Sequence, residues 1–145
     1  MENFFINLYE LFVDGALLDD LIDEKMIVTL SVMSLLVPLT FALLFYKLYD
    51  RVGFSKRRHW LVVMFSSGMI VFFWILIACF TKENEQIPRP TAVVEENQEV
   101  QFMFDQGTSV FLEYSFEMLV LAFIYFFIFS LGLRLISINN RKTPF

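Results

Sequence analysis

The apolar positions of this chain are gathered into three long runs rather than spread along it at a short period. Met26–Tyr46, Trp60–Thr81 and Met118–Leu133 contain no Asp, Glu, Lys or Arg. A helix needs about 20 apolar residues to cross roughly 30 Å of hydrocarbon. In lipid each backbone N–H and C=O must find its partner within the segment, so every run is expected to be helical. The runs lack the apolar/polar alternation of an outer-membrane barrel strand. The pattern predicts an all-α membrane protein with three transmembrane helices, at 26–46, 60–81 and 111–138. The third is lengthened backwards through Val110, Phe111 and Leu112 and forwards through Leu135 and Ile136.

Outside the runs the pattern changes character. In Phe4–Ile22 apolar patches are broken by Glu10, Asp14, Asp19 and Asp20, with Asp23 next in line, which rules the segment out as a crossing. Phe4, Leu8, Leu11 and Phe12 share one helical face, so 1–25 is expected to carry an amphipathic helix lying at the interface. Leu17 and Leu21 drift onto another face, and Gly15 is expected to break the helix or start a second turn. Such a helix either lies against its own bundle or docks a partner protein. In the loop 82–110, Pro88 and Pro90 favour an extended start. The alternation Val100, Phe102, Phe104 fits a short strand, and a small β-hairpin turning near Glu96–Gln98 is one expectation.

Composition agrees with a membrane domain. Apolar residues make up 57% of the 145 positions and Phe alone supplies 19, more than a soluble domain of this size buries. The single cysteine, Cys79, lies in the second run and carries no information on redox compartment. No removable signal peptide is expected, since 1–25 has neither a basic n-region nor a small-residue cleavage site.

Charge sets the expected orientation. Residues 1–25 hold seven acids against one Lys, a net of −6, and 82–117 hold eight acids against Lys82 and Arg89, again −6. Residues 47–59 carry +4 and 134–145 carry +3, and the whole chain sums to −5. Short loops rich in Lys and Arg stay in the cytoplasm. One topology satisfies that rule with three crossings: N-terminus out, the 47–59 loop in, the 82–110 loop out, and the tail 139–145 in. The expected location is a bacterial-type inner membrane.

Individual residues then acquire candidate roles. Pro38, mid-way along the first run, removes a backbone donor and crowds the Ser34 carbonyl, so a kink is expected, as shape or as a hinge. Ser31, Ser34 and Thr40 are placed to help satisfy the freed backbone. Tyr46, Tyr49 and Trp60 stand where a headgroup belt of aromatics is expected, and Gly53 allows a turn between them. Lys56, Arg57 and Arg58 form a basic cluster, read either as a topology signal touching anionic headgroups or as a docking site for an acidic cytoplasmic partner. Ser66, Ser67 and Gly68 form a small-residue patch where a second helix can approach.

Glu113 and Glu117 lie four apart on one helical face. With Arg134 as the boundary, Glu117 sits about 26 Å along the helix, close to the far edge of the core. Two readings are open: a carboxylate facing an ion or proton path, or an interfacial cluster joining the pair to Lys25 or Lys82, which end the first two crossings on the same side. Catalysis is not expected. His59 is the only histidine and has no second ligand at metal spacing. Cys79 lies some 30 Å along the helix from it. No base stands near Ser66 or Ser67, and no phosphate-binding loop is present. No cofactor is expected, and the chain is too acidic for nucleic-acid binding.

The segment Tyr46–Leu61, YKLYDRVGFSKRRHWL, resembles the first loop of small polytopic membrane proteins that accompany bacterial contractile-injection (type VI-like) machines; it covers about a tenth of the chain. The resemblance implies a role beside such a machine and transfers no functional residue. The expected function is a non-enzymatic membrane subunit that anchors or assembles a larger complex. Its partners are the bilayer, other membrane subunits in a homo- or hetero-oligomer, and a possible cytoplasmic protein at 47–59. The alternative is a subunit of an ion- or proton-conducting oligomer using Glu117.

Overall fold

In the computed structural model, residues 13, 15–48, 57–88 and 102–135 are described. Four α-helices account for most of them: α1 (Gly15–Asp23), α2 (Met26–Leu43), α3 (Arg57–Glu85) and α4 (Thr108–Arg134). A π-helical turn, Leu44–Leu48, continues α2. Three helices are long and apolar enough to cross a membrane: Met26–Lys47, Arg57–Glu85 and Thr108–Arg134. At 1.5 Å per residue their lengths are about 33, 43 and 40 Å, so the second and third exceed the roughly 30 Å core and must tilt or project from it. Both run past the ends of their apolar cores, because Lys, Glu and Arg are good helix formers wherever the chain meets water.

Among the described residues there is no strand. Pro88 and Phe102 form an isolated antiparallel bridge, and the Met103 N–H donates to the Ile87 carbonyl at 2.8 Å. The strand expected through Phe104 does not reach it. Met103 and Phe104 form a turn, Phe104 has φ 57°, and its ring is wholly buried while Phe102 is exposed. The turn of the expected hairpin, Glu96–Gln98, lies outside the described residues, as do the Phe4–Phe12 face, Tyr49, Gly53, Lys56 and the tail 139–145.

Contacts divide the chain into two compact units, Met1–Leu30 with Phe73–Ser115 and Ser31–Phe72 with Phe116–Phe145. The first has a core of Leu17, Leu21, Ile27, Ile75, Phe104 and Phe111, all essentially inaccessible. Here α1 starts at Gly15 and buries Leu17, Leu18 and Leu21. It closes with the Lys25 N–H on the Ile22 carbonyl at 2.9 Å. Lys25 itself takes the left-handed conformation, φ 56°, so that α2 can begin at the next residue. Gly107, at φ 89°, supplies the equivalent reversal before α4, where a side chain would be strained.

The second unit is centred on Ala42, Phe45, Tyr46, Trp60 and Phe126, with Phe41, Met64 and Phe129 packed around them. The helix α2 passes through buried Pro38 without interruption. The Thr40 hydroxyl donates to the Leu36 carbonyl and the Ser34 hydroxyl to that of Ser31, each at 2.8 Å. Both bonds serve the hydroxyls' own need for a partner in an apolar medium; neither falls on the Ser34 carbonyl that the proline leaves bare.

Candidate functional site

Two polar constellations stand out, one in each unit. In the first, Asp20 lies on α1 beside Leu21 and three residues after Leu17, and is therefore carried into the core with them. One oxygen of its carboxylate, Oδ2, accepts the Phe104 N–H at 2.8 Å and the Gln106 Nε2–H at 2.6 Å. The carboxylate thus fixes the turn that leads into α4. Burial of a charge is tolerated only with such donors. Next to α1, Glu24 Oε2 lies 3.0 Å from the Lys82 ammonium, which also holds Glu85 Oε2 at 2.7 Å. Phe80 and Phe111 meet edge to face with centroids 5.6 Å apart.

The rim around these contacts is acidic. Asp19, Asp23, Glu85, Asp105 and Glu113 are exposed, and the described residues of this unit hold eight carboxylates against Lys25 and Lys82. The two residues expected to complete an interfacial cluster with Glu113 and Glu117 stand as follows: Lys25 is exposed, and Lys82 is engaged by Glu24 and Glu85. Glu113 belongs to this unit, and Glu117, half-buried, to the other.

In the second unit the polar group is built from helix ends. Trp60, three residues into α3, donates its indole N–H to Ser130 Oγ at 3.1 Å. The Tyr46 hydroxyl joins them, with Ser130 and Trp60 as hydrogen-bond neighbours and the Arg134 charge close by. Tyr46 and Trp60 are 4% and 7% exposed, so neither is the headgroup-facing aromatic that the sequence implied. Ser130 gives both polar tips a partner inside the protein, which lets the rings contribute their apolar area to packing. Trp60 meets Phe126 at 5.5 Å and Phe127 at 6.5 Å. Ser67 and Gly68, in the small-residue patch, are buried, and the Phe123 ring lies over Gly68.

Charge has the opposite sign here. The described residues of this unit carry Lys47, Arg57, Arg58 and Arg134, and a single carboxylate, Glu117. Arg57 and Arg58 open α3 and are exposed, and half-buried His59 follows them. Asp20 and Ser130 are structurally decisive positions that sequence reasoning gave no such role, whereas Gly68 stood in the patch expected to admit a second helix, and the Phe123 ring of α4 lies there. For Asp20 a signal existed, an acid on the same helical face as Leu17 and Leu21. For Ser130 there was none.

Among the described residues no three His, Cys, Asp or Glu side chains come together as a metal site. Comparison with known proteins finds no matching family model, no matching characterised relative and no matching solved structure.

Proposed function

We propose that this chain is a non-enzymatic integral membrane subunit that anchors or assembles a larger complex in a bacterial-type inner membrane. The observation that carries the reading is the ordered acidic rim of the first unit. Among its described residues the buried carboxylate, Asp20, is committed to fixing the Phe104–Gln106 turn, while Asp19, Asp23, Asp105 and Glu113 are exposed. A surface fixed in this way presents its charges at constant spacing to a basic partner, at little ordering cost on binding. The orientation that fits is N-terminus out and C-terminus in, from the short basic segments. The acidic rim then faces outward, and Arg57 and Arg58 face the cytoplasm. The Tyr46–Leu61 resemblance agrees with an injection-type machine as the larger complex.

Purification of the full chain in mild detergent should recover the same partner subunits repeatedly. The double substitution Asp19→Lys with Asp23→Lys, at exposed positions, should reduce that recovery without loss of folded protein. Recovery of the monomer alone would overturn the proposal.

A second reading, a subunit of an ion- or proton-conducting oligomer, is favoured by Glu117, which is half-buried on a membrane-length helix. It requires flux through vesicles reconstituted with the wild-type chain and loss of that flux in Glu117→Gln.

A further inference from the structure

The π turn at Leu44–Leu48 shapes one wall of an open groove of about 380 Å³. Phe41, Leu44 and Phe45 form that wall, Val62 and Val63 of α3 form the other, and His59 stands at one end. An α-helix turns successive side chains about 100° apart; the wider π turn alters that spacing, and here Leu44 and Phe45 both line the groove. Ser66, which also lines it, spends its hydroxyl on the Val62 carbonyl at 2.8 Å. The walls are therefore apolar in effect, and the volume lies in the roughly 300–1,000 Å³ range of small-molecule sites.

The His59 end is different. Arg57 and Arg58 precede His59 on the first turn of α3, both exposed, and exposed Lys47 lies on the π turn two residues after Phe45. The single carboxylate among the described residues of this unit, Glu117, is on α4. An apolar channel that opens at a cluster of cations, on helices long enough to cross a membrane, has the chemistry of a phospholipid with a negatively charged headgroup. Its chain lies against Leu44, Phe45, Val62 and Val63, and its phosphate meets Arg57, Arg58 and His59.

The geometry points to this groove as a binding site for one anionic phospholipid of the surrounding bilayer. The site goes beyond the assembly reading and does not depend on it, because neither orientation nor a partner enters the argument. The lipid belongs to this unit as a bound component with its headgroup held at the start of α3.

The test uses the full chain, purified and exchanged into micelles with equal amounts of phosphatidylglycerol and phosphatidylcholine, and read by native mass spectrometry. Phosphatidylglycerol should be retained in excess, by on the order of fivefold for each basic residue that meets the headgroup. The double substitution Arg57→Gln with Arg58→Gln, at exposed positions where folding is not at stake, should bring the two lipids to near parity. Val62→Phe, at a position 62% exposed, should fill the groove and lower retention of both. Glycerol phosphate, which has the headgroup charge but no chains, should not displace the lipid. Equal retention by the wild-type chain would overturn the proposal. So would a preference that survives the Arg57/Arg58 substitutions, retention unchanged in Val62→Phe, or displacement by glycerol phosphate.

Discussion

The carboxylate of Asp20 accepts the backbone N–H of Phe104 at 2.8 Å across a separation of 84 residues. It ties the first helix to the turn that launches the last one. Removing the acceptor strands the Phe104 amide and the Gln106 side chain in a buried setting. Asp20→Ala should therefore cost about 3 kcal/mol, the sum of an ionic hydrogen bond and a desolvated donor. Asp20→Asn keeps an oxygen with two lone pairs for the donors that Oδ2 now accepts but loses the charge, and should cost about half as much. Unfolding in mixed micelles measures both, and amide exchange at Phe104 should accelerate in the alanine variant first. A change within about 0.5 kcal/mol, the range of an ordinary surface substitution, would mean that the turn is held by packing alone.

The helices were legible because lipid leaves a long apolar run no other structure, and three helices long and apolar enough to cross a membrane follow from that constraint. Their ends were less so. The third helix begins at Thr108, where Gly107 reverses the chain, rather than at residue 111, because a helix continues until backbone geometry stops it and not merely while side chains are apolar. The roles of Tyr46 and Trp60 were misplaced for a related reason. An amphipathic aromatic near a helix end fits the headgroup layer equally well until a partner such as Ser130 is seen, and that partner is 70 residues from Trp60. Lys82 was recognised as a rim charge, yet its partners Glu24 and Glu85 come from a helix join and from its own helix. Pairing across turns leaves no periodic mark in a sequence.

Gly68 and Phe123 define the closest approach in the second unit. A Cβ at position 68 would overlap Phe123 Cε1 and stand 2.9 Å from Cδ1. The ring cannot simply swing away, because it also meets Phe65 edge to face at 5.2 Å. Gly68→Ala should destabilise by about 1–3 kcal/mol, as overpacking of a well-filled contact does, despite the better helix propensity of alanine. Phe123→Leu in the same chain should recover part of the loss. Additive effects in the double-substitution cycle would refute the direct contact.

Lys82 makes its two ion pairs at partly exposed positions, so their energetic weight should be small. Lys82→Ala should change stability by no more than about 1 kcal/mol, and the Lys82–Glu24 coupling energy should shrink further between low and high salt. A thermal-unfolding series over ionic strength measures this directly. A coupling above about 2 kcal/mol that salt leaves intact would place the pair in a far drier setting than its exposure implies.

Trp60, Ser130 and Tyr46 should behave as one unit rather than as three contacts. Trp60→Phe removes the indole N–H that Ser130 accepts, but Tyr46 remains as a neighbour to the serine hydroxyl. The loss should be about 1–2 kcal/mol, part hydrogen bond and part packing against Phe126. Ser130→Ala strips both aromatic tips of their shared partner at once and should cost more than Trp60→Phe. Once Ser130 is absent, Trp60→Phe should cost less, because the indole–Ser130 hydrogen bond it deletes is already gone. A chemical-denaturation cycle over the four chains gives the coupling. Coupling of about 1 kcal/mol supports a shared network, and a value near zero would show that the ring contacts alone hold this end of α3 against α4.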